Sequence, residues 1–387
     1  MIKKSLTTSF KKFFGSRPEV FSSAPGRVNI IGEHTDYNLG YVLPAAINFK
    51  IYFLVSKRED ERVYLWAENY KEGENFSLKN ISSSKKKKWA NYVKGILWLL
   101  EKEGLCLRGI NGLIYGDIPF EAGLSSSAAL EVSVICALDE LFRLNLSSEK
   151  KAFLAQKAEN EFVGVKCGLM DQFISIFGRK NRAMYLDCET LNFELIPLNL
   201  QKLNLGFFIY NSRVQRELAS SGYNLRRQEA EEALFFFKKR GFQGFKEVNV
   251  VMLEKMRSEM KEIIYKRAKH IISENKRVRE AVQALKEDNF ILLGKLLFLS
   301  HESLRDDYEV SCPELDLLYE TGKDFPACLG ARLTGAGFGG SGVALIKKDR
   351  IDAFKKEILN RAVKMGFNKP EIYEIKIGDG AKAYSLV

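Results

Sequence analysis

The sequence has little with which to build a cross-linked or membrane-bound protein. Its cysteines, Cys106, Cys136, Cys167, Cys188, Cys312 and Cys328, are scattered over 387 residues without any C-x-x-C pair, several of them in apolar surroundings. That excludes a disulfide framework and suits buried free thiols in a reducing cytoplasm. No apolar run approaches the ~20 residues of a membrane span. The N-terminus, MIKKSLTTSFKKFF, lacks the continuous apolar stretch of a signal peptide, although the absence of any acid before Glu19 leaves a transit peptide as an alternative. Internal repeats and Gly/Ser linkers are missing as well, so no boundary announces itself.

The chain is 46% hydrophobic and 28% charged, which excludes a disordered or collagenous protein and predicts two domains, placed at 1–200 and 201–387. A net charge of +11 favours acidic partners. The densest basic run, residues 85–88, lies among polar residues as a solvated loop, so no nucleic acid is expected. Apolar spacing predicts a helix over residues 89–103 and a buried central helix over 125–142. Residues 149–161 and 170–177 follow as helices, and 183–187, 193–198 and 205–210 as strands. Residues 50–56 and 62–67, joined by the charged turn 57–61, are read as a hairpin. Beyond them, 223–304 is largely helical, and strands at 343–346 and 372–377 bracket a helix over 350–365.

Chemistry concentrates in three segments. In residues 24–45, APGRVNIIGEHTDYNLGYVLPA, the side chains of Arg27, Asn29, Glu33, His34 and Asp36 crowd among glycines. Carboxylate, imidazole and amide groups on one loop suit a sugar, whose adjacent hydroxyls each donate and accept. A surface turn and a metal site at Glu33, His34 and Asp36 remain as alternatives. In residues 116–133, GDIPFEAGLSSSAALEVS, three serines stand at the entrance of the buried helix. Free backbone N–H groups there favour an anion, and a serine hydroxyl can ligate Mg²⁺, making a phosphate cradle without a Walker lysine. Simple helix capping is the alternative. Residues 330–345, GARLTGAGFGGSGVAL, contain G-x-G-x-x-G at Gly335, Gly337 and Gly340, but a strand follows where a dinucleotide fold needs a helix, and the HRD and DFG of protein kinases are absent. A tight loop that admits a ligand or another chain segment is expected.

In this order the three segments resemble the galactokinase branch of the GHMP kinase family, named for galactokinase, homoserine, mevalonate and phosphomevalonate kinases. GRVNIIGEHTDY resembles that branch in particular, GLSSSAA the family's phosphate loop and LTGAGFGGSGVAL its C-terminal motif. KCGLMDQF around Asp171 resembles the catalytic segment, and LASSGYNLRR around Tyr223 a sugar-contacting one. The resemblance implies an α+β fold of two mixed lobes with the active site in the cleft between them.

It implies ATP-dependent phosphorylation of D-galactose at the anomeric hydroxyl, the first committed step of galactose metabolism, with Mg²⁺ as cofactor. Asp171 is the implied base and Arg27 its partner. Glu33, His34, Thr35, Asp36, Asn29, Gly168 and Tyr223 are the implied sugar contacts. Glu121, Ala122, Gly123, Leu124, Ser125, Ser126 and Ser127 would hold the ATP phosphates, and Ser127 with Glu159 the metal. The expected partners are D-galactose and MgATP, with no nucleic acid, no membrane and a monomeric state, in the cytoplasm. Two positions depart from the family pattern: Glu121 replaces a glycine of the phosphate loop, so its backbone alone is expected to line the cradle, and Gln215-Arg216 stands where relatives carry Arg-His. A kinase for N-acetylgalactosamine or another galactose-like sugar, and a non-catalytic galactose sensor, are the rival readings. Intact Ser127, Ala128, Ala129 and Asp171 favour catalysis over the sensor.

Overall fold

The computed structural model describes residues 2–119, 122–214 and 219–386, the side chains of 219–221 apart. Its strands in chain order are β1 (Val20–Asn29), β2 (Tyr41–Val42), β3 (Pro44–Lys57), β4 (Arg62–Ala67), β5 (Glu72–Ser77), β6 (Ile110–Gly116), β7 (Arg182–Asp187), β8 (Phe193–Pro197), β9 (Leu205–Asn211), β10 (Cys328–Thr334), β11 (Ser341–Lys347), β12 (Glu371–Ile375) and β13 (Lys382–Ser385). The α-helices are α1 (Ile2–Phe14), α2 (Ala90–Lys102), α3 (Ser126–Phe142), α4 (Ser148–Ala158), α5 (Met170–Phe177), α6 (Ala219–Lys238), α7 (Val250–Met256), α8 (Glu262–Lys286), α9 (Phe290–Asp306), α10 (Pro313–Asp324) and α11 (Ile351–Lys364).

Among the described residues the strands form three sheets, in the orders β13-β1-β3-β6-β4-β5, β10-β11-β9-β12 and β2-β7-β8. The first sheet carries the N-terminal lobe and the second the C-terminal lobe. The chain passes between them after Pro197 and before Leu205, but its last strand, β13, returns to pair with β1. Helix α3 is apolar nearly all round, and it packs on the first sheet with Ala129, Val132, Ile135 and Leu138 buried. Full burial of each of its larger aliphatic side chains stabilises by about 1.5–3 kcal/mol, which explains why so polar an entrance can be held rigidly. On the sheet's other side, Leu6 and Phe10 of α1 meet Phe21, Leu54 and Leu113, so the basic N-terminal segment is an amphipathic helix docked on the lobe.

Strand β1 is buried throughout, and its register with β3 shifts between Pro25 and Arg27. The irregularity accommodates a proline that has no N–H for the ladder. It also lets the Arg27 N–H donate outside the sheet, to the Leu124 carbonyl at 3.0 Å, bringing the strand against the serine loop.

One expectation is corrected. Residues 50–56 and 62–67 are strands but not a hairpin: β6 lies between them, antiparallel to β3 and parallel to β4. Gly112 of β6 makes the insertion possible, since a Cβ there would stand 2.7 Å from the Phe53 ring and 2.9 Å from Leu65 Cδ2. Local alternation shows that a segment is a strand, while the choice of neighbour is made by this interlocking of side chains.

Candidate active site

A cavity of about 400 Å³ is lined by both lobes and gathers most of the residues singled out in the sequence. Arg27 comes from the irregularity in β1, and Glu33, His34 and Asp36 from the loop that follows that strand. Gly123, Leu124, Ser125, Ser126 and Ser127 come from the entrance of α3, Glu159 from the end of α4, Gly168 and Asp171 from the start of α5, and Tyr223 from α6.

At the centre, Arg27 grips Asp171 with both arms of its guanidinium: Nε donates to Oδ1 at 2.7 Å and Nη2 to Oδ2 at 3.0 Å. Nη1 donates to the Gly123 carbonyl at 2.8 Å, so one side chain ties the carboxylate to the serine loop. The Ser125 hydroxyl donates to Asp171 Oδ2 as well. Burial works against the charge on Arg27, but Asp171 and then Glu33 overcome it and raise its pKa, so the guanidinium remains a cation.

This answers the capping alternative. Ser125 sits in the left-handed region with φ 59° and its side chain caps nothing, being turned to Asp171. The first intrahelical bond runs from Ala129 N–H to the Ser125 carbonyl. The amides of Ser126, Ser127 and Ala128 therefore have no partner within the helix, and Ser126 and Ser127 line the cavity, an arrangement that suits phosphate oxygens.

Beside them Glu159 is buried and approached by a second carboxylate. Gln172 Nε2 bridges the two, donating to Glu159 Oε2 at 2.9 Å and to Glu131 Oε2 at 3.3 Å. Burial, first of all, and then Asp171 push the Glu159 carboxyl up, and burial and Glu159 push Glu131 well above the usual carboxylate range. Glu131 Oε1 has no hydrogen-bond partner. Two buried acids without a basic side chain favour holding a proton in place of charge, and the Ser127 hydroxyl lies where it favours the Glu159 anion. Where α4 gives way to a wider π turn at Glu159–Val163, the helix re-aims this carboxylate towards the cavity.

On the opposite side the sugar-loop residues diverge to separate anchors. Glu33 Oε1 accepts from the Gly335 N–H at 2.7 Å and from the Thr334 hydroxyl at 3.0 Å, with Arg332 Nη2 at 3.4 Å. His34 turns to Tyr37. Asp36 packs against Gly168 so closely that a Cβ on the glycine would stand 2.0 Å from Asp36 Oδ2. Burial, then the nearby Asp171 carboxylate, push the Asp36 pKa up to about 7. Among the described residues no group of three His, Cys, Asp or Glu side chains converges to hold a metal, so Glu33, His34 and Asp36 do not form a metal site by themselves.

Three expected contacts lie elsewhere. Asn29 is buried with both amide atoms unpartnered, while its backbone carbonyl accepts from the Thr334 hydroxyl at 3.1 Å and from Arg332 Nη1 at 3.3 Å. The Thr35 hydroxyl donates within the loop, to the Gly32 carbonyl at 2.9 Å or the Tyr41 carbonyl at 2.7 Å, which makes it a brace of that turn. Ala122 is buried in the core of the first lobe and does not line the cavity. Glu121 and Gln215-Arg216 lie outside the described residues. Conversely, Tyr37, Cys167, Asn224, Gly335 and Ala336 line the cavity and were missed as contacts. Each adjoins a motif already visible in the sequence, but nothing local says which neighbour of a motif faces inward. The glycine-rich loop between β10 and β11 keeps Gly335 beside the serine loop, with its Cβ position 3.3 Å from the Gly123 carbonyl.

Three family models match the chain: the galactokinase galactose-binding signature at residues 8–57, the GHMP kinase N-terminal domain at 91–179 and the GHMP kinase C-terminal domain at 281–364. The methanogen mevalonate kinase of Methanococcus jannaschii shares the fold at a TM-score of 0.65 with 18% identity, covering 95% of this chain and 100% of that one. Fold and cavity thus define a GHMP kinase, a two-lobed ATP-dependent phosphotransferase. Galactokinase from Pyrococcus furiosus is 42% identical over 357 residues, 92% of this chain and 97% of that protein, and galactokinase from Staphylococcus carnosus is 41% identical over 384 residues, 98% of each. The structure of Lactococcus lactis galactokinase complexed with galactose superposes at a TM-score of 0.93 with 39% identity, covering 99% of this chain and 100% of that one. The chain belongs to the galactokinase family.

Proposed function

We propose that the cavity transfers the γ-phosphoryl group of ATP to the anomeric hydroxyl of D-galactose, giving galactose 1-phosphate and ADP. The observation that carries this reading is the Asp171 carboxylate, clamped by Arg27 and Ser125 between the serine loop and the sugar loop. A carboxylate offers about four acceptor positions, and three are already taken, so one remains for the proton of an incoming hydroxyl. Asp171 accepts that proton in or after a loose transition state, for which alignment matters more than base strength. Arg27 fixes both oxygens of the carboxylate and places positive charge beside the transferring group.

The amides at the start of α3 bind the phosphates, while Glu33, His34, Asp36 and Tyr223 hold the sugar and Gly168 leaves room for Asp36. Ser127 and Glu159 would hold Mg²⁺, which bound there would supply positive charge to offset the negative charge of the ATP phosphates. Among the described residues no helix is long and apolar enough to cross a membrane. A coupled ADP-release assay over a panel of hexoses tests the assignment: release with D-galactose well above glucose, mannose and N-acetylgalactosamine supports it, and release that prefers another sugar overturns it.

A further inference from the structure

The glycine-rich loop between β10 and β11 holds one residue that local backbone rules disfavour. Phe338 has φ 56°, in the left-handed region between Gly337 and Gly339, where glycine is at ease and a bulky side chain is strained. Helix α6 carries the reverse exception, since Gly222 stands in it where alanine would favour the helix. The two residues meet: a Cβ on Gly222 would stand 2.9 Å from Phe338 Cζ and 3.1 Å from both Cε atoms. Each exception explains the other, because a glycine lets the helix lie directly on the ring, and the ring is what a glycine at 338 would lack.

Both sides of this contact are pinned. The Phe338 N–H donates to the Val310 carbonyl at 2.7 Å, and Gly337 lies so near that carbonyl that a Cβ on it would stand 2.2 Å away. Gly339 is closed in by Val214, whose Cβ lies 3.0 Å from its Cβ position. One turn beyond Gly222, the Arg226 guanidinium lies over the same ring, 5.8 Å from its centroid. Arg226 Nε donates to the Tyr308 carbonyl at 2.7 Å and Nη2 to the Glu309 carbonyl at 3.0 Å, which fastens the helix to the segment that holds Phe338.

Tyr223 follows Gly222 directly and lines the cavity, its ring 5.8 Å from that of His34 and 5.4 Å from that of Tyr37. We infer that Phe338 is a positioning residue for sugar recognition: its ring seats Gly222 and so fixes the N-terminal end of α6 with Tyr223 against the sugar loop. The glycine-rich loop then serves two walls of the site, Glu33 through the Gly335 N–H and Tyr223 through Phe338. The role toward sugar rests on the proposed galactose site, whereas the placement of Tyr223 is a property of the unliganded protein.

Protein labelled with 3-fluorotyrosine gives one ¹⁹F resonance for each of its 15 tyrosines, and Tyr223→Phe identifies that of Tyr223. We expect Phe338→Leu and Gly222→Ala each to shift or broaden this resonance in the folded, unliganded protein. Each should raise the galactose KM about three- to tenfold and leave the ATP KM within about twofold. In the double variant the shorter leucine makes room for the added methyl group, so the galactose KM should fall below the product of the two single effects. With Tyr223→Ala already in place, Phe338→Leu should change the galactose KM less than about twofold, because the residue it positions is gone. Should Phe338→Leu fail to fold, Gly222→Ala, which helix propensity favours, carries the same test. A folded variant with the parental Tyr223 resonance overturns the inference. So does one that lowers Tm with the galactose KM unmoved, or a Phe338→Leu effect on that KM that is undiminished without Tyr223. Should galactose prove not to be the substrate, the wild type releases no ADP with it and the ¹⁹F spectra still decide whether Phe338 places Tyr223, so the two failures are told apart.

Discussion

Replacing Asp171 with Asn removes one negative charge while keeping the side chain's shape. In the native site Oδ1 accepts from Arg27 Nε, and Oδ2 accepts from Arg27 Nη2 and Ser125. An amide has one acceptor oxygen, so whichever way it is turned, its NH₂ faces a guanidinium N–H that then lacks an acceptor. Ser125 can rotate and accept instead, but Arg27, only 6% exposed, cannot. One unsatisfied buried donor costs about 1–3 kcal/mol, a few degrees or less of Tm in a chain this long. The chemical loss is larger, because the amide takes no proton and general-base catalysis contributes about 10²- to 10⁴-fold. The assay pairs kcat from ADP release with galactose binding by calorimetry and thermal unfolding. We expect kcat lower by that factor, galactose still bound and a folded protein. A near-parental kcat refutes the role of Asp171, and loss of galactose binding with normal unfolding refutes the separation of chemistry from sugar recognition.

Gly168→Ala should displace Asp36, given the 2.0 Å approach of the added Cβ, and raise the galactose KM tenfold or more, an order set by one charge-assisted hydrogen bond, while the ATP KM stays within twofold. Unchanged galactose KM would remove Asp36 from the sugar site. With the Asp36 pKa up to about 7, its carboxyl is neutral below that pH and an anion above it, so galactose affinity should rise as pH passes through 7, and Asp36→Asn should flatten the profile. The same raised pKa means the folded chain keeps a proton that the unfolded chain has lost. This group's contribution to stability is therefore greatest below about pH 4 and is lost as pH rises to 7, which urea titrations of the two proteins at pH 5 and 8 can check. Ser127→Ala should raise the Mg²⁺ concentration needed for half-maximal turnover, and an unshifted Mg²⁺ titration would reduce Ser127 to a member of the helix entrance.

Much of the helical framework could be read directly, because α2, α3 and α11 carry their burial in their own periodicity. The N-terminal helix α1 was hidden, because its apolar stripe, Leu6 and Phe10, has meaning only against Phe21, Leu54 and Leu113. The false hairpin failed for a similar reason, since strand order depends on a glycine in β6 that lies far along the chain. For the site, the motifs marked where polar groups congregate, and the family resemblance supplied roles that spacing alone could not. Arg27 and Asp171 are 144 residues apart, and no local signal joins them. Thr334, Gly335 and Tyr308 likewise act on the sugar loop only because the second lobe folds over it. Asn29 and Thr35 show the converse: polar residues inside a binding motif can serve the loop's own backbone or its packing.

The central claim is that Asp171, Arg27 and the sugar loop direct phosphate to the anomeric oxygen of galactose. The most direct measurement is ³¹P and ¹H NMR of the product formed from D-galactose and MgATP. The account predicts galactose 1-phosphate, with phosphorus coupled to the anomeric proton and formed one for one with ADP. Phosphate on another carbon, or ADP release that does not require galactose, would contradict it.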